Sequence, residues 1–314
     1  MTIIAITGAT GFVGREFVRT IEKKNFTPRL LVRSPEKLKD LASHAHVKGD
    51  LDNKAALRRL CRGADILVHI AGRITARNED EFMHANVTGT RNIAQIAVKA
   101  GVKRIILISS LAARVPELTH YAASKRGSED ALIEQAGDVP YVILRPPAVY
   151  GPGDKGTFPL LKALTQRYAI IPGQKYSRIS LIHVSDLASA IETLLSAKEP
   201  TINQQIFELH DGRQNGYSWQ EMAHISGLVE KKAVECIFLP RLALNLIAGI
   251  CGLYAKIFGK VPFVSLQKVR ELYHEDWMCR NNLLAQTGLW KARLDFREGF
   301  KQTVNWYRVN GWLS

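Results

Sequence analysis

Thr2 to Gly14 reads TIIAITGATGFVG, and this stretch decides the fold. An apolar run, Ile3 to Ile6, ends at Thr7 and gives way to glycines at three-residue steps: Gly8, Gly11 and Gly14. Phe12, Val13 and Phe17 then open a helical apolar pattern. The reading is strand, tight turn, helix. A side chain at position 8 would obstruct the turn. Gly11 lets the backbone approach a pyrophosphate, and Gly14 lets the helix pack closely on the strand. The unpaired N–H groups and positive dipole end of the new helix face the same point. The spacing is GxxGxxG rather than the commoner GxGxxG. Its place directly after a buried-type strand supplies the context that the motif needs.

Outward from this unit, residues 1–150 alternate apolar runs with amphipathic segments. Candidate strands are Ile3–Thr7, Arg29–Val32, Ala45–Lys48, Ile66–Ile70, Ile105–Ser109 and Tyr141–Leu144. Candidate helices are Phe12–Lys24, Pro35–Leu41, Lys54–Cys61, Glu79–Lys99 and Ala122–Ala136. Strands alternating with helices imply right-handed crossovers and an α/β fold, a Rossmann-type doubly wound parallel sheet. Residues 1–150 are therefore expected to bind a dinucleotide. After Tyr150 the texture changes, and residues 151–314 read as a smaller, mainly helical substrate region. The two are expected to interleave: Ser180–Val184 reads as a strand and Ser185–Ala197 as a helix capped by Ser185 or Asp186, returning to the sheet.

Composition narrows the function classes. The chain has 314 residues, with 43 Lys plus Arg against 29 Asp plus Glu, a formal net charge of +14. The basic residues are scattered, which favours a solvated surface and phosphate ligands over nucleic acid. Cys61, Cys236, Cys251 and Cys279 form no CxxC pair or zinc spacing. Reduced thiols, no metal site and a cytoplasmic setting are expected. The first strand begins at once, without a charged leader, so no signal peptide is expected. Uninterrupted apolar runs of about 20 residues are missing, so no spanning helix is expected.

The candidate cofactor contacts follow the strand ends. Gly8 and the run Thr10, Gly11, Phe12, Val13 and Gly14 would line the pyrophosphate. Arg33 stands 19 residues after Gly14, where an acidic residue would select NAD(H); Arg33 and Ser34 favour the 2′-phosphate of NADP(H). Asp50 would accept from the adenine amino group with Leu51 over the ring, or cap the helix starting near Asn53; both readings stay open. Small residues Ala71 and Gly72 in HIAG would let the ribose and phosphates pass closely.

Ser110, Tyr121 and Lys125 form the candidate reactive set. Ser110 follows the strand IILIS, and Tyr121 and Lys125 share a helix face at i, i+4 in YAASK. An unperturbed phenol has a pKa of about 10, and a neighbouring ammonium would lower it. Tyr121 would then exchange a proton with a substrate oxygen held by Ser110.

TGATGFVG, HIAG, NVTGT, ISS, YAASK and LRPPAVYGPGD together resemble the extended short-chain dehydrogenase/reductases, the NAD(P)-dependent epimerase/dehydratase family. SLIHVSDLASAI (180–191) and EGFKQTVNWYRVNGWL (298–313) also fit. The resemblance implies that Ser110, Tyr121 and Lys125 are catalytic; Lys125 is also expected to hold the 2′- and 3′-hydroxyls of the cofactor ribose, and Tyr121 to border the cofactor. It further implies that Asn86 fixes the active-site helix and cofactor pocket, and that Ser109, Pro146, Ala148 and Val149 border the cofactor. Arg73, Ser110 and Arg178 would meet the substrate, Arg178 resembling an arginine that grips a substrate phosphate. Only ten residues separate Ser110 from Tyr121, a short loop for sugar-nucleotide members. The expected activity is an oxidoreductase for a secondary alcohol or ketone, sterol-like or lipid-like. The rivals are a nucleotide-sugar epimerase or dehydratase with tightly bound NAD(P), and a non-catalytic dinucleotide binder.

His69 reads as structural, and the resemblance gives His183 a packing or loop-anchoring role. PRLALNLIAGICGLYAKIF, residues 240–258, is the most apolar segment. It could cover the substrate site, form a homodimer face or lie in a membrane interface, helped by Arg241, Lys256 and Lys260.

Overall fold

The N-terminal unit forms as strand, turn and helix: β1 (Thr2–Thr7) and α1 (Phe12–Ile21). The computed structural model describes residues 2–198, 201–258 and 264–313. The chain continues through β2 (Phe26–Val32), β3 (Ala45–Lys48), α2 (Lys54–Cys61) and β4 (Ile66–His69). Next come α3 (Glu79–Met83), a π turn at His84–Thr88, α4 (Gly89–Lys99), β5 (Arg104–Ile108), α5 (His120–Ala136) and β6 (Tyr141–Arg145). The later half comprises β7 (Ala148–Tyr150), α6 (Phe158–Ala163), β8 (Tyr168–Ile171), β9 (Arg178–Ile179), β10 (Leu181–His183), α7 (Val184–Ser196) and β11 (Gln205–Glu208). It ends with β12 (Tyr217–Ser218), α8 (Trp219–Glu230), β13 (Glu235–Phe238), α9 (Arg241–Phe258), α10 (Leu266–Leu272), β14 (Asp276–Trp277) and α11 (Phe296–Val309).

The central sheet is parallel, in the order β11-β6-β5-β4-β1-β2-β3. Strand order reverses between β1 and β4, which opens the crevice used by ligands of doubly wound sheets. Alternate residues of each strand feed opposite layers. Ile4, Ile6, Ile106 and Ile108 pack with Phe17 of α1 and Leu187 and Ile191 of α7. Ala5, Ile105 and Leu107 pack with Leu57 of α2, Ile93 of α4 and Leu132 of α5. A further core around Tyr150, Trp219, Phe296 and Tyr307 holds the substrate region together.

Several expectations need correcting. The sheet has a seventh strand, β11, whose sequence QIFE carries too few apolar residues to read as buried. β2 starts at Phe26 and runs through Pro28. It tolerates the proline because pairing with β3 begins only at Arg29, so Pro28 lies beyond the neighbouring strand. Helix α7 is capped by His183, whose ring accepts from the Ser185 N–H, and not by Ser185 or Asp186. The Asp186 carboxylate instead accepts from the Arg293 and Leu294 N–H groups, tying down the segment before α11. Pro35–Leu41 is two 3-10 turns rather than a helix.

Candidate active site

The glycine turn has the shape of a phosphate cradle. Gly8 has φ +77°, and a Cβ there would lie 2.6 Å from the Ala71 nitrogen. A Cβ on Gly14 would lie 2.1 Å from the Gly8 carbonyl oxygen, so glycine alone lets α1 start this close to β1. Gly11 is the N-cap of α1 and offers no side chain, and the first turn holds no acidic residue. Its amides are therefore free of an internal anion, a fit to a bound pyrophosphate.

The other cofactor candidates cluster at the same sheet edge. Arg33 is exposed at the end of β2, beside half-buried Ser34. Asp40, the neighbouring acid, is already held by Arg15 and Arg19 of α1. One Asp50 oxygen accepts the Asp52 and Asn53 N–H groups at 3.1 and 3.0 Å, while Asn53 caps α2. Leu51 packs against Gly89, where a Cβ would lie 2.6 Å from the leucine side chain. Ala71 N–H donates to Thr7 Oγ1, and Thr7 and Thr90 bracket the buried ring of His69. Burial drives His69 down to about 3, so it is a neutral structural residue.

The reactive set is built on α5. Thr119 caps that helix by accepting the Ala122 N–H, which fixes Tyr121 in its first turn. Ser110 stands close enough to Tyr121 to act on its phenol, and the Phe82 ring centroid lies 6.1 Å from that of Tyr121. Lys125 is buried, and its Nζ donates to the Ile108 carbonyl at 2.8 Å. A Cβ on Gly72 would lie 3.7 Å from that Nζ, so the HIAG loop and the lysine converge. Asn86 stitches loop and helix together: Oδ1 accepts the Arg73 N–H at 2.7 Å, and Nδ2 donates to the Arg73 carbonyl and to Ser124. Ser124 in turn donates to the Tyr121 carbonyl. Asn86 lies on the π turn, an irregularity of a kind frequent at functional sites.

The electrostatics differ from expectation. Burial pushes the Tyr121 phenol up to about 12; the Ser110 hydrogen bond opposes this and the charge of Glu271 adds to it. The expected lowering by Lys125 is absent, because the ammonium spends its contact on Ile108 and is itself pushed down to about 8 by burial. Glu129, buried one turn further along α5, partly offsets that depression.

Other candidates find different partners. Ser109 gives its hydroxyl to Glu129, which also takes a two-pronged grip from Arg145. Arg178 is committed to Glu221 at 3.0 Å and to the Asn215 and Gly216 carbonyls, so its guanidinium is not offered to a phosphate. Arg73 pairs with Glu81. The Pro146 carbonyl accepts the Leu111 N–H, holding the Ser110 turn beside β7, where Ala148 is exposed and Val149 half-buried. Three residues escaped the sequence reading. Glu129 resembles an ordinary helix-surface acid, and Gln267 and Glu271 lie far along the chain on α10. Gln267 accepts the His120 N–H at 2.6 Å, which brings α10 against the start of α5.

The NAD dependent epimerase/dehydratase family profile matches residues 4–209. The chain belongs to that family. It is an NAD(P)-dependent oxidoreductase or epimerase of the extended short-chain dehydrogenase/reductase type. Ceramide reductase of Caulobacter vibrioides is 38% identical over 99% of this chain and 96% of its own length. UDP-glucose 4-epimerase of Vibrio cholerae is 27% identical over 96% of this chain and 94% of its own length. The solved structure of MoeE5 in complex with UDP-glucuronic acid and NAD superposes with a TM-score of 0.73 at 20% identity, covering 99% of this chain and 100% of that one. No helix among the described residues is long and apolar enough to cross a membrane.

Proposed function

We propose that this protein is an NADP(H)-dependent reductase that converts a ketone on a long-chain, ceramide-like lipid to a secondary alcohol. The convergence of Ser110 and Tyr121 carries the reading, with Lys125 buried four residues on. The likeness to a ceramide reductase at 38% identity supports the substrate class. The exposed Arg33 at the end of β2 supports NADP(H) over NAD(H).

Gly8, Gly11, Gly14 and the first-turn amides of α1 would hold the pyrophosphate, with Thr10, Phe12 and Val13 around it. Arg33 and Ser34 would take the 2′-phosphate, Asp50 and Leu51 the adenine, and Ala71, Gly72 and Lys125 the riboses. Pro146, Ala148 and Val149 would border the nicotinamide, which when bound supplies the hydride. Ser110 holds the substrate carbonyl oxygen. Tyr121 gives its hydroxyl proton to that oxygen as negative charge develops on it. A phenol raised to about 12 stays protonated through neutral pH and so has a proton to give. Lys125, still mostly charged at pH 7, would hold the hydroxyls of the nicotinamide ribose.

The test is stoichiometry. Purified protein given NADPH and a long-chain α-acylamino ketone should oxidise one NADPH per alcohol formed, and NADH far more slowly. Denatured protein that releases bound NAD, together with isomerisation of a sugar nucleotide without net NADPH loss, would establish the epimerase reading instead.

A further inference from the structure

Helix α9 inverts the usual pattern of a surface helix. Its inner stripe, Leu244 and Ala248, packs on Val269 and Tyr273. Its outer face is also apolar: Leu242, Leu246 and Ile250 are 78%, 70% and 71% exposed, and Leu253 and Ile257 continue the row. A helix apolar all round belongs in a core or in lipid, and an apolar row of this size on a surface marks a docking site. Ile170 and Ile237, opposite each other on β8 and β13, are exposed as well, and Ile237 lies only four residues before α9 begins.

Charge identifies the occupant. From Cys236 to Arg270 the sequence holds no Asp or Glu, and it carries five basic residues, Arg241, Lys256, Lys260, Lys268 and Arg270, of which Lys268 pairs with Glu271 just beyond. An apolar helix face in a basic, acid-free segment complements an anionic bilayer surface. A second copy of this chain fits poorly, since a two-fold contact would set two such basic segments against each other. At 18 residues the helix is about 27 Å long, and lying flat it would bury its outer row among acyl chains.

We propose that the outer face of α9 docks this protein on an anionic lipid bilayer and brings the Tyr121 site to lipid substrates there. The docking stands on the helix alone; the delivery of substrate rests on the proposed ketone reduction. The two are joined through α10, which packs under α9 and carries Gln267 on the His120 N–H and Glu271, whose charge reaches the Tyr121 phenol.

Flotation with phosphatidylcholine vesicles, with and without phosphatidylglycerol, tests the docking. The full-length protein should float with the anionic vesicles and far less with the neutral ones. Leu246→Glu with Ile250→Glu should lower the partition coefficient about a hundredfold, from the lost transfer of two large apolar side chains. Leu253→Ser with Ile257→Ser serves as a second pair should the first disturb folding. Reduction of a short-chain, water-soluble α-acylamino ketone should be unchanged in either pair, whereas reduction of a vesicle-embedded ketone should fall with the partitioning. Failure of the unaltered protein to float with anionic vesicles, or equal flotation of both variants, overturns the docking. So does a dimer, seen by sedimentation, that the substitutions dissolve without any vesicle binding. Flotation without ketone reduction leaves the docking standing and removes the proposed reaction; soluble reduction without flotation does the reverse.

Discussion

Helices α5 and α9 are nearly equal in length, seventeen and eighteen residues, and use polarity in opposite ways. α5 buries Ser124, Lys125, Ser128 and Glu129. α9 exposes Leu242, Leu246 and Ile250. Each breaks the rule that apolar side chains go inside and charges stay out, and such breaks are the informative positions on a fold. On α5 every buried polar group has a partner, so burial becomes a means of setting proton affinities. On α9 the proposed bilayer would be that partner. The proposed chemistry and the proposed docking would then sit on two helices, with α10 against both.

The contrast can be broken at its polar end first. Glu129→Ala leaves Arg145 buried without its carboxylate and Ser109 without its acceptor. A loss of about 3–5 kcal/mol is expected in denaturant unfolding; a change below about 1 kcal/mol would mean that the buried network does not support α5.

Lys125 gives a pH signature. Its folded-state value, about 8, lies below the ordinary 10.5, so the unfolded chain binds the extra proton between those values. This group therefore adds stability as pH rises through that window, by at most about 3 kcal/mol. Thermal midpoints of Lys125→Met should lack that rise, while an identical slope in both proteins would place the ammonium in water.

Arg33→Asp sharpens the cofactor end of the sheet. NADPH binding, followed by tryptophan fluorescence, should weaken about 10–100-fold, with NADH little affected. Equal loss of both would remove Arg33 from the 2′-phosphate. At the apolar end, Leu246→Glu with Ile250→Glu should shift unfolding stability by no more than about 0.5 kcal/mol, because these side chains leave no cavity. A large loss would mean that this face is packed in solution.

What the sequence made legible was local. The glycine turn, the strand–helix alternation and YAASK each depend on neighbours within a few residues, and the structure keeps their elements nearly in place. What stayed hidden depends on distant partners. QIFE becomes a strand because β6 offers it an edge. Glu129 matters because Arg145 arrives beside it, and Arg178 is spent because Glu221 does. The Tyr121 proton was misjudged for the same reason: a cation four residues away was visible in the sequence, but the surrounding desolvation was not. The exposure of α9 could not be read from its composition, which suits a core equally well.

The claim that Tyr121 donates the proton is met most directly by single-turnover reduction of a water-soluble α-acylamino ketone with NADPH prebound. Tyr121→Phe should slow that turnover about a hundredfold to ten-thousandfold while NADPH affinity stays within about twofold, the phenol being a partner of the substrate oxygen rather than of the dinucleotide. A Tyr121→Phe protein that reduces the ketone at the unaltered rate would contradict it.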